Sequence, residues 1–188
     1  IFMPVLIVVG ILVLIALWVV SLYNGLVRLR NRRQNAFADI DVQLRQRHDL
    51  VPQLVDTVKG YAIHEKELLT KITEARSAAM AATTIDGKIV AEQQLSSALA
   101  GLKVQVEAYP DLKANQNFLQ LQEELSDIEN KLAASRRFFN AATAEYNNSV
   151  ESFPSNLIAK NFGFSREIMF DLGTDSRKQM EEPPKIQF

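Results

Sequence analysis

The 188-residue sequence predicts an all-α protein, an N-terminal transmembrane helix continuing into an elongated antiparallel helical bundle with coiled-coil-like packing. Three observations carry this expectation. Residues 1–23 are almost wholly apolar, and no charge appears before Arg28. Glycine and proline number only seven and six, and from Asn24 to Ala82 apolar side chains recur at helical spacing with no strand-like alternation. From Phe118 to Val150 a 3–4 apolar repeat is sustained, the period of left-handed helix packing. These divide the chain into an anchor (1–23), a long-helix bundle domain (24–164) and a C-terminal extension (165–188).

The anchor reads IFMPVLIVVGILVLIALWVVSLY. At 1.5 Å per residue, about 20 such residues cross a hydrocarbon core of roughly 30 Å. Pro4 lies at the start, where its missing N–H costs little. Trp18 and Tyr23 sit near the far end, where amphipathic rings favour the headgroup layer. A cleaved signal peptide would have a shorter apolar region and a small-x-small site, which Tyr-Asn-Gly-Leu-Val does not supply. Arg28, Arg30, Arg32 and Arg33 follow directly. As a solvated stop-transfer flank or a patch for lipid headgroups, they place the bundle in the cytoplasm by the positive-inside rule. A basic segment ahead of Ile1 would reverse that orientation.

The first bundle helix is expected over about 24–82. Its inward positions are Leu26, Leu29, Ala36, Phe37, Ile40, Leu44, Val51, Leu54, Val55, Val58, Ala62, Leu69, Ile72 and Ala79. Pro52 removes one helix hydrogen bond and predicts a kink, with Asp49 as a cap for the restarted helix. Thr83-Thr84-Ile85-Asp86-Gly87 is a loop, with Asp86 the candidate N-cap. A second helix over about 88–109 carries Leu95, Leu99, Leu102, Val106 and Tyr109 on one side, and Pro110 disfavours its continuation.

A third, over about 115–150, carries Phe118, Leu121, Leu125, Ile128, Leu132, Phe139, Tyr146 and Val150, with Ser135 and Ala142 at its weaker seam positions. That seam is expected to seal the domain's own core, the alternative being partial pairing with another subunit. Ser155 is positioned to cap a short helix over 156–161, with Gly163 at C′ followed by Phe164. Ile168 and Phe170 are expected to dock the extension, and the segment around Pro183-Pro184 to be extended.

Signatures of chemistry are sparse. The absence of cysteine excludes disulfides, thiolate metal sites and a cysteine nucleophile. Two histidines argue against a His-rich metal site, and a net charge of −1 against a nucleic-acid binder relying on bulk basicity. Neither His48 nor His64 has Glu three residues earlier, and His64-Glu65 lacks the second histidine of a zincin. There is no glycine-rich phosphate loop or G-x-S-x-G elbow. Glu123, Glu124, Asp127 and Glu129 read as a solvated acidic face.

His48 and Asp49 are adjacent, so their side chains point about 100° apart rather than at each other. His64 reads as a surface histidine, and Asn147-Asn148-Ser149 matches the glycosylation triplet, a pattern common by chance that carries no meaning without the compartment. Two polar stretches suggest buried networks that would fix helix register. One contains Asn35, Asp41, Gln43, Arg47 and His48; the other contains Arg136, Arg137, Asn140, Tyr146 and Asn147.

Longer motifs run through the chain. They include Tyr23-Asn24-Gly25-Leu26-Val27, Arg30-Asn31-Arg32, Asn35-Ala36, Asp41-Val42-Gln43-Leu44 and Arg47-His48-Asp49-Leu50-Val51-Pro52-Gln53-Leu54. Lys59-Gly60-Tyr61-Ala62 and His64-Glu65-Lys66 follow, then Tyr109-Pro110-Asp111-Leu112-Lys113-Ala114-Asn115 and Phe118-Leu119-Gln120-Leu121-Gln122. Arg136-Arg137-Phe138-Phe139-Asn140, Phe153-Pro154-Ser155-Asn156 and Gly163-Phe164 complete the set. Across nearly all of residues 23–188 the sequence resembles the LemA family of bacterial membrane proteins. One departure is Phe139, where the family often carries tyrosine.

The resemblance implies a single-pass protein of the bacterial inner membrane, with its bundle in the cytoplasm and no established activity, cofactor or catalytic residue. Its magnetosome-associated relatives are linked to building an internal membrane compartment. The function expected is therefore a non-enzymatic, membrane-anchored scaffold that self-associates, in membrane organisation or remodelling. The alternative is an adaptor or regulator of a membrane protease or envelope stress system. Partners would be membrane lipids, further copies of the chain and another membrane protein, with no nucleic acid and no metal or cofactor.

Overall fold

The computed structural model describes residues 2–62 and 65–171. His64 and the proline-containing tail therefore lie outside the described residues. Six helices appear in order, with no strand among the described residues: α1 (Phe2–Lys59), α2 (Lys66–Ala81), α3 (Ile85–Val106), α4 (Pro110–Lys113), α5 (Gln116–Glu151) and α6 (Ser155–Asn161). The protein is all-α.

The N-terminal part of α1 has a mean hydropathy of 3.2 and none of it is buried against the rest of the protein. Met3, Leu6, Leu12, Leu14, Leu17 and Trp18 are exposed. The helix is long and apolar enough to cross a membrane. It then continues without interruption as the first helix of the bundle.

Helical structure runs through Pro52, where the sequence predicts a kink, and stops at Lys59, so one helix does not extend to residue 82. Proline has no N–H to give the carbonyl four residues back, here that of His48. Arg76 Nε donates to that oxygen at 2.7 Å. An arginine from α2 thus replaces the missing backbone donor, and Pro52 is tolerated inside the helix. Gly60, of low helix propensity, directly follows the last helical residue. The N–H groups of Tyr61 and Ala62 both turn back onto the Val58 carbonyl, at 3.0 and 2.9 Å.

Side chains cap the starts of α3 and α5. Thr84, not Asp86, caps α3, its hydroxyl accepting from the Gly87 N–H at 3.0 Å. Asn115 does the same for α5, Oδ1 accepting from the Phe118 N–H at 3.0 Å. Pro154, not Ser155, occupies the N-cap position of α6; the Ser155 hydroxyl instead donates to the carbonyls of Ser149 and Ser152. Gly163 has φ of 72°, and the Phe164 N–H reaches the Ala159 carbonyl at 3.0 Å, the six-to-one bond of a Schellman ending.

The described residues form two compact units, and α1 and α5 contribute to both. In the first, up to Asp39 with Ser135–Met169, Leu26, Tyr146, Ala159 and Phe164 are buried together. Phe37 and Phe139 meet edge to face with centroids 5.5 Å apart. In the second, Ile40–Ala134 with Phe170 and Asp171, α2 packs on α3. Its core includes Val51, Leu54, Val58, Leu69, Ile72, Leu95, Leu102, Leu112 and Phe118. Each such side chain contributes about 1.5–3 kcal/mol by leaving water. Ile168 is 42% exposed, so of the two residues expected to dock the extension only Phe170 is buried.

Candidate functional site

The polar residues buried in each unit are the places where chemistry or specificity has to be sought, because an unpaired buried charge is costly. In the second unit, α1 presents Arg47 and His48 on consecutive positions, and α3 presents Glu92. All three are buried, Glu92 at 1% exposure. His48 Nε2 and Glu92 Oε1 are hydrogen-bonded at 2.5 Å. Arg47 Nη1 faces Glu92 Oε2 at 3.5 Å, an ionic contact longer than a hydrogen bond, and Arg47 Nη2 donates to Ser96 Oγ at 2.9 Å. Glu129 adds a looser charge 3.9 Å from the same nitrogen. Burial lowers the proton affinity of the Arg47 guanidinium; the charges of Glu92 and Glu129 oppose this without reversing it.

A cleft of about 420 Å³ lies beside the cluster, lined by His48, Glu92, Asp41, Arg45 and Lys88 among others. Asp41 is itself engaged. Its Oδ2 accepts from Arg45 Nε and Nη2 at 3.1 and 2.8 Å, and its Oδ1 from Lys88. Burial pushes the Asp41 carboxyl up, but the hydrogen bonds and charges of Lys88 and Arg45 outweigh it and hold the group below its ordinary value. The cations near this cleft are thus turned onto carboxylates of the chain itself.

In the first unit the buried cation is Arg33, 4% exposed. It pairs with Glu167 at 3.1 Å, donates to Thr143 Oγ1 at 3.3 Å and to the Ile168 carbonyl at 3.1 Å. Its guanidinium carbon lies 4.9 Å from the centroid of the Phe139 ring. Asn147 grips the same segment twice, Oδ1 accepting from the Glu167 N–H and Nδ2 donating to the Glu167 carbonyl, both at 2.9 Å. Together Arg33 and Asn147 fasten the segment after Phe164 to α1 and α5. Burial, aided by the Glu167 charge, raises the Tyr146 phenol; Arg30 and Arg33 oppose it without prevailing.

These positions bear directly on the residues singled out in the sequence. The structure brings Arg47 and His48 into one cluster, and Asp41 lines the cleft beside it. Gln43 is half-buried, with an Oε1 that has no hydrogen-bond partner in the protein. Asn35 is exposed and Arg137 is exposed, so neither joins a buried network. Arg136 and Asn140 are half-buried on α5, while Tyr146 and Asn147 are buried. Of the four arginines after the apolar run, Arg28, Arg30 and Arg32 remain exposed. Arg32 pairs with Glu145 at 2.6 Å, and Arg30 lies 5.0 Å over the Phe164 ring. Arg33 does not act as a solvated flank, because Glu167, Thr143 and the Ile168 carbonyl draw it inside.

Glu92, Ser96, Arg76, Thr143 and Glu167 were not anticipated as partners. Glu92 alone left a trace: the apolar stripe Leu95–Leu99–Leu102–Val106, extended one turn back, lands on it. The contacts described for Arg47, His48 and Arg33 tie one helix or segment to another. Among the described residues no three histidine, cysteine, aspartate or glutamate side chains group as metal ligands.

Helices joined by buried ion pairs, one carrying an exposed stretch of membrane length, define a helical-bundle protein of the membrane-associated kind. The chain belongs to the LemA family, whose family model matches residues 36–188. It is 29% identical to "Protein LemA" of Metamycoplasma hominis, in a match covering 84% of this chain and 73% of that protein. It is 24% identical to "Magnetosome protein MamQ" of Magnetospirillum gryphiswaldense, over 77% of this chain and 62% of that protein. "Magnetosome protein MamQ 2" of Paramagnetospirillum magneticum is 23% identical, over 79% of this chain and 64% of the relative. The chain therefore spans less than two thirds of the length of these magnetosome proteins. None of these names is that of an enzyme.

Proposed function

We propose that the protein is a non-enzymatic, single-pass scaffold that self-associates within a membrane and organises or remodels it. The observation that carries this reading is the continuity of α1. One helix bears the exposed apolar stretch around Leu6–Trp18 and supplies Leu26, Phe37, Leu44 and Val58 to the buried cores. Force or order imposed on the bundle is thereby transmitted to the membrane through a helix rather than a flexible linker. The buried ions are consumed in holding helices together, which favours architecture over catalysis. The magnetosome proteins among its relatives favour a role in a cellular structure over a reaction.

Self-association is tested by native mass measurement of the full chain released from mild detergent at several concentrations. Dimers or larger species are expected, and a strict monomer at all concentrations would overturn that part of the reading. In-membrane crosslinking then separates a scaffold from an adaptor. Products joining copies of this chain support the scaffold, whereas products only with a membrane protease or other unrelated membrane proteins support the adaptor.

A further inference from the structure

We infer that the protein touches the membrane a second time, through an apolar patch at α6 that rests in the interfacial layer beside α1. The inference builds on the reading of α1 as a membrane-spanning helix. Three large side chains stand out of the first unit close together in sequence: Phe153 is 79% exposed, Leu157 56% and Phe162 58%. They flank or lie on α6, whose other side is used internally. Ala159 is buried with Leu26 and Tyr146, and Ile158 packs against the same cluster together with Tyr23 and Val150. Lys160 shares the outward side, three residues after Leu157.

Ring contacts fix the level of this patch along α1. The Phe162 centroid is 5.0 Å from that of Tyr23, and the Phe164 centroid 5.6 Å from it, both edge to face. Tyr23 closes the apolar run. The headgroup region adds about 5–7 Å beyond the hydrocarbon on each side, which a helix covers in about four residues at 1.5 Å each. Residues at the level of Tyr23 to Val27 therefore lie in that layer, and so does a phenylalanine packed against Tyr23. Phe162 joins the patch to α1 at Tyr23, where the lipid-facing run ends, which selects the bilayer as its occupant. Lys160 is exposed on α6 and Arg28 is exposed five residues past Tyr23 on α1, and Arg30 lies over Phe164. Apolar side chains with basic companions are the composition of an interfacial segment on an anionic leaflet. Two contacts with the bilayer would hold the start of the bundle at a set height and limit rotation of α1 about its axis.

The protein contains a single tryptophan, Trp18, inside the apolar run, which allows both membrane contacts to be read separately. The full chain is reconstituted into phosphatidylcholine–phosphatidylglycerol vesicles containing lipids brominated either high or deep on the acyl chain. In the parent, emission from Trp18 reports the spanning helix. In a Trp18→Phe background, Phe162→Trp and Leu157→Trp report the patch, and Phe138→Trp is the control. Phe138 is 52% exposed and borders a groove with Asn31 and Asn35, two to three turns past Tyr23 on α1.

Loss of emission with a blue shift is expected at Phe162→Trp and Leu157→Trp, larger with bromine high on the chain, and no loss at Phe138→Trp. Leu157→Trp disturbs no ring contact and serves should Phe162→Trp fold poorly. Quenching of Trp18 without quenching at either patch position would overturn the inference and leave the spanning helix standing. Absence of quenching at all positions would overturn both. Equal quenching at Phe138→Trp would overturn the assignment of the contact to α6.

Discussion

Glu92 is an acid at the end of an apolar stripe on α3, and its partners show why it is tolerated. Replacing it alone by leucine leaves Arg47 buried with only the exposed Glu129 as a distant counter-charge. Breaking a buried pair from one side costs about 3–5 kcal/mol, so Glu92→Leu should lower stability by that amount. Replacing Arg47, His48 and Glu92 together by methionine, leucine and leucine removes the stranded charge and should recover most of the loss. Denaturant unfolding of detergent-solubilised protein, followed by circular dichroism, tests both; a triple variant as unstable as the single would refute the account.

Asp41 has the opposite character, being only partly buried and accepting from two cations. Its folded pKa lies below the ordinary 3.8, so the stabilisation it provides is complete above that value and disappears as pH falls through the lower folded value. Asp41→Asn should cost about 1 kcal/mol near neutral pH, as for a well-placed surface pair. The two stability curves should converge below pH 3.8; a gap that persists into acid would place the effect in packing instead. These partnerships were not legible in the sequence. Lys88 and Glu92 lie 47 and 44 residues from the side chains they meet, and nothing local specifies such a match.

At the scale of elements, the rule about proline predicts a kink at Pro52, and the structure shows the carbonyl it frees satisfied by a distant residue. Pro52 frees the His48 carbonyl and Arg76 takes it. The two residues should therefore be coupled. Arg76→Met leaves a partly buried acceptor unsatisfied and should cost about 1–3 kcal/mol. In a Pro52→Ala background the backbone N–H is restored, and the same substitution should cost much less. Thermal unfolding of the four proteins closes the cycle; additive effects would show that Arg76 acts elsewhere. Other boundaries were readable because their signals are local. The Gly163–Phe164 ending falls where the sequence predicts it, whereas the expected Thr83–Gly87 loop is shorter, because α3 already starts at Ile85 and includes Asp86 and Gly87. The cap was assigned to Asp86 rather than Thr84 because both residue types accept from backbone N–H groups and only the observed hydrogen bond distinguishes them.

For the whole molecule, the apolar residues of the sequence are two populations governed by different solvents. Side chains that repeat at three and four, such as Ile40, Leu44, Val51 and Ile72 or Phe118, Ile128, Leu132 and Phe139, are buried. Those in the unbroken run from Met3 to Val20 are almost all exposed. Spacing alone separates the two, which is why the all-α class and most of the core were legible while the ionic partners were not.

Orientation depends on a third pattern, the arginines after the run. It is decided while the chain inserts, before the bundle folds, so Arg33 counts as a positive charge then even though it is buried afterwards. With all four arginines on that flank, the positive-inside rule predicts a cytoplasmic bundle, an expectation for labelling to test. The absence of native cysteine makes this accessible to labelling. Asn148→Cys, at an exposed position on α5, should stay unlabelled by a membrane-impermeant maleimide in cells with an intact inner membrane and react once that membrane is opened. Changing Arg28, Arg30, Arg32 and Arg33 to glutamine should produce a fraction that reacts in intact cells. Full labelling of the single Asn148→Cys variant in intact cells would reverse the orientation.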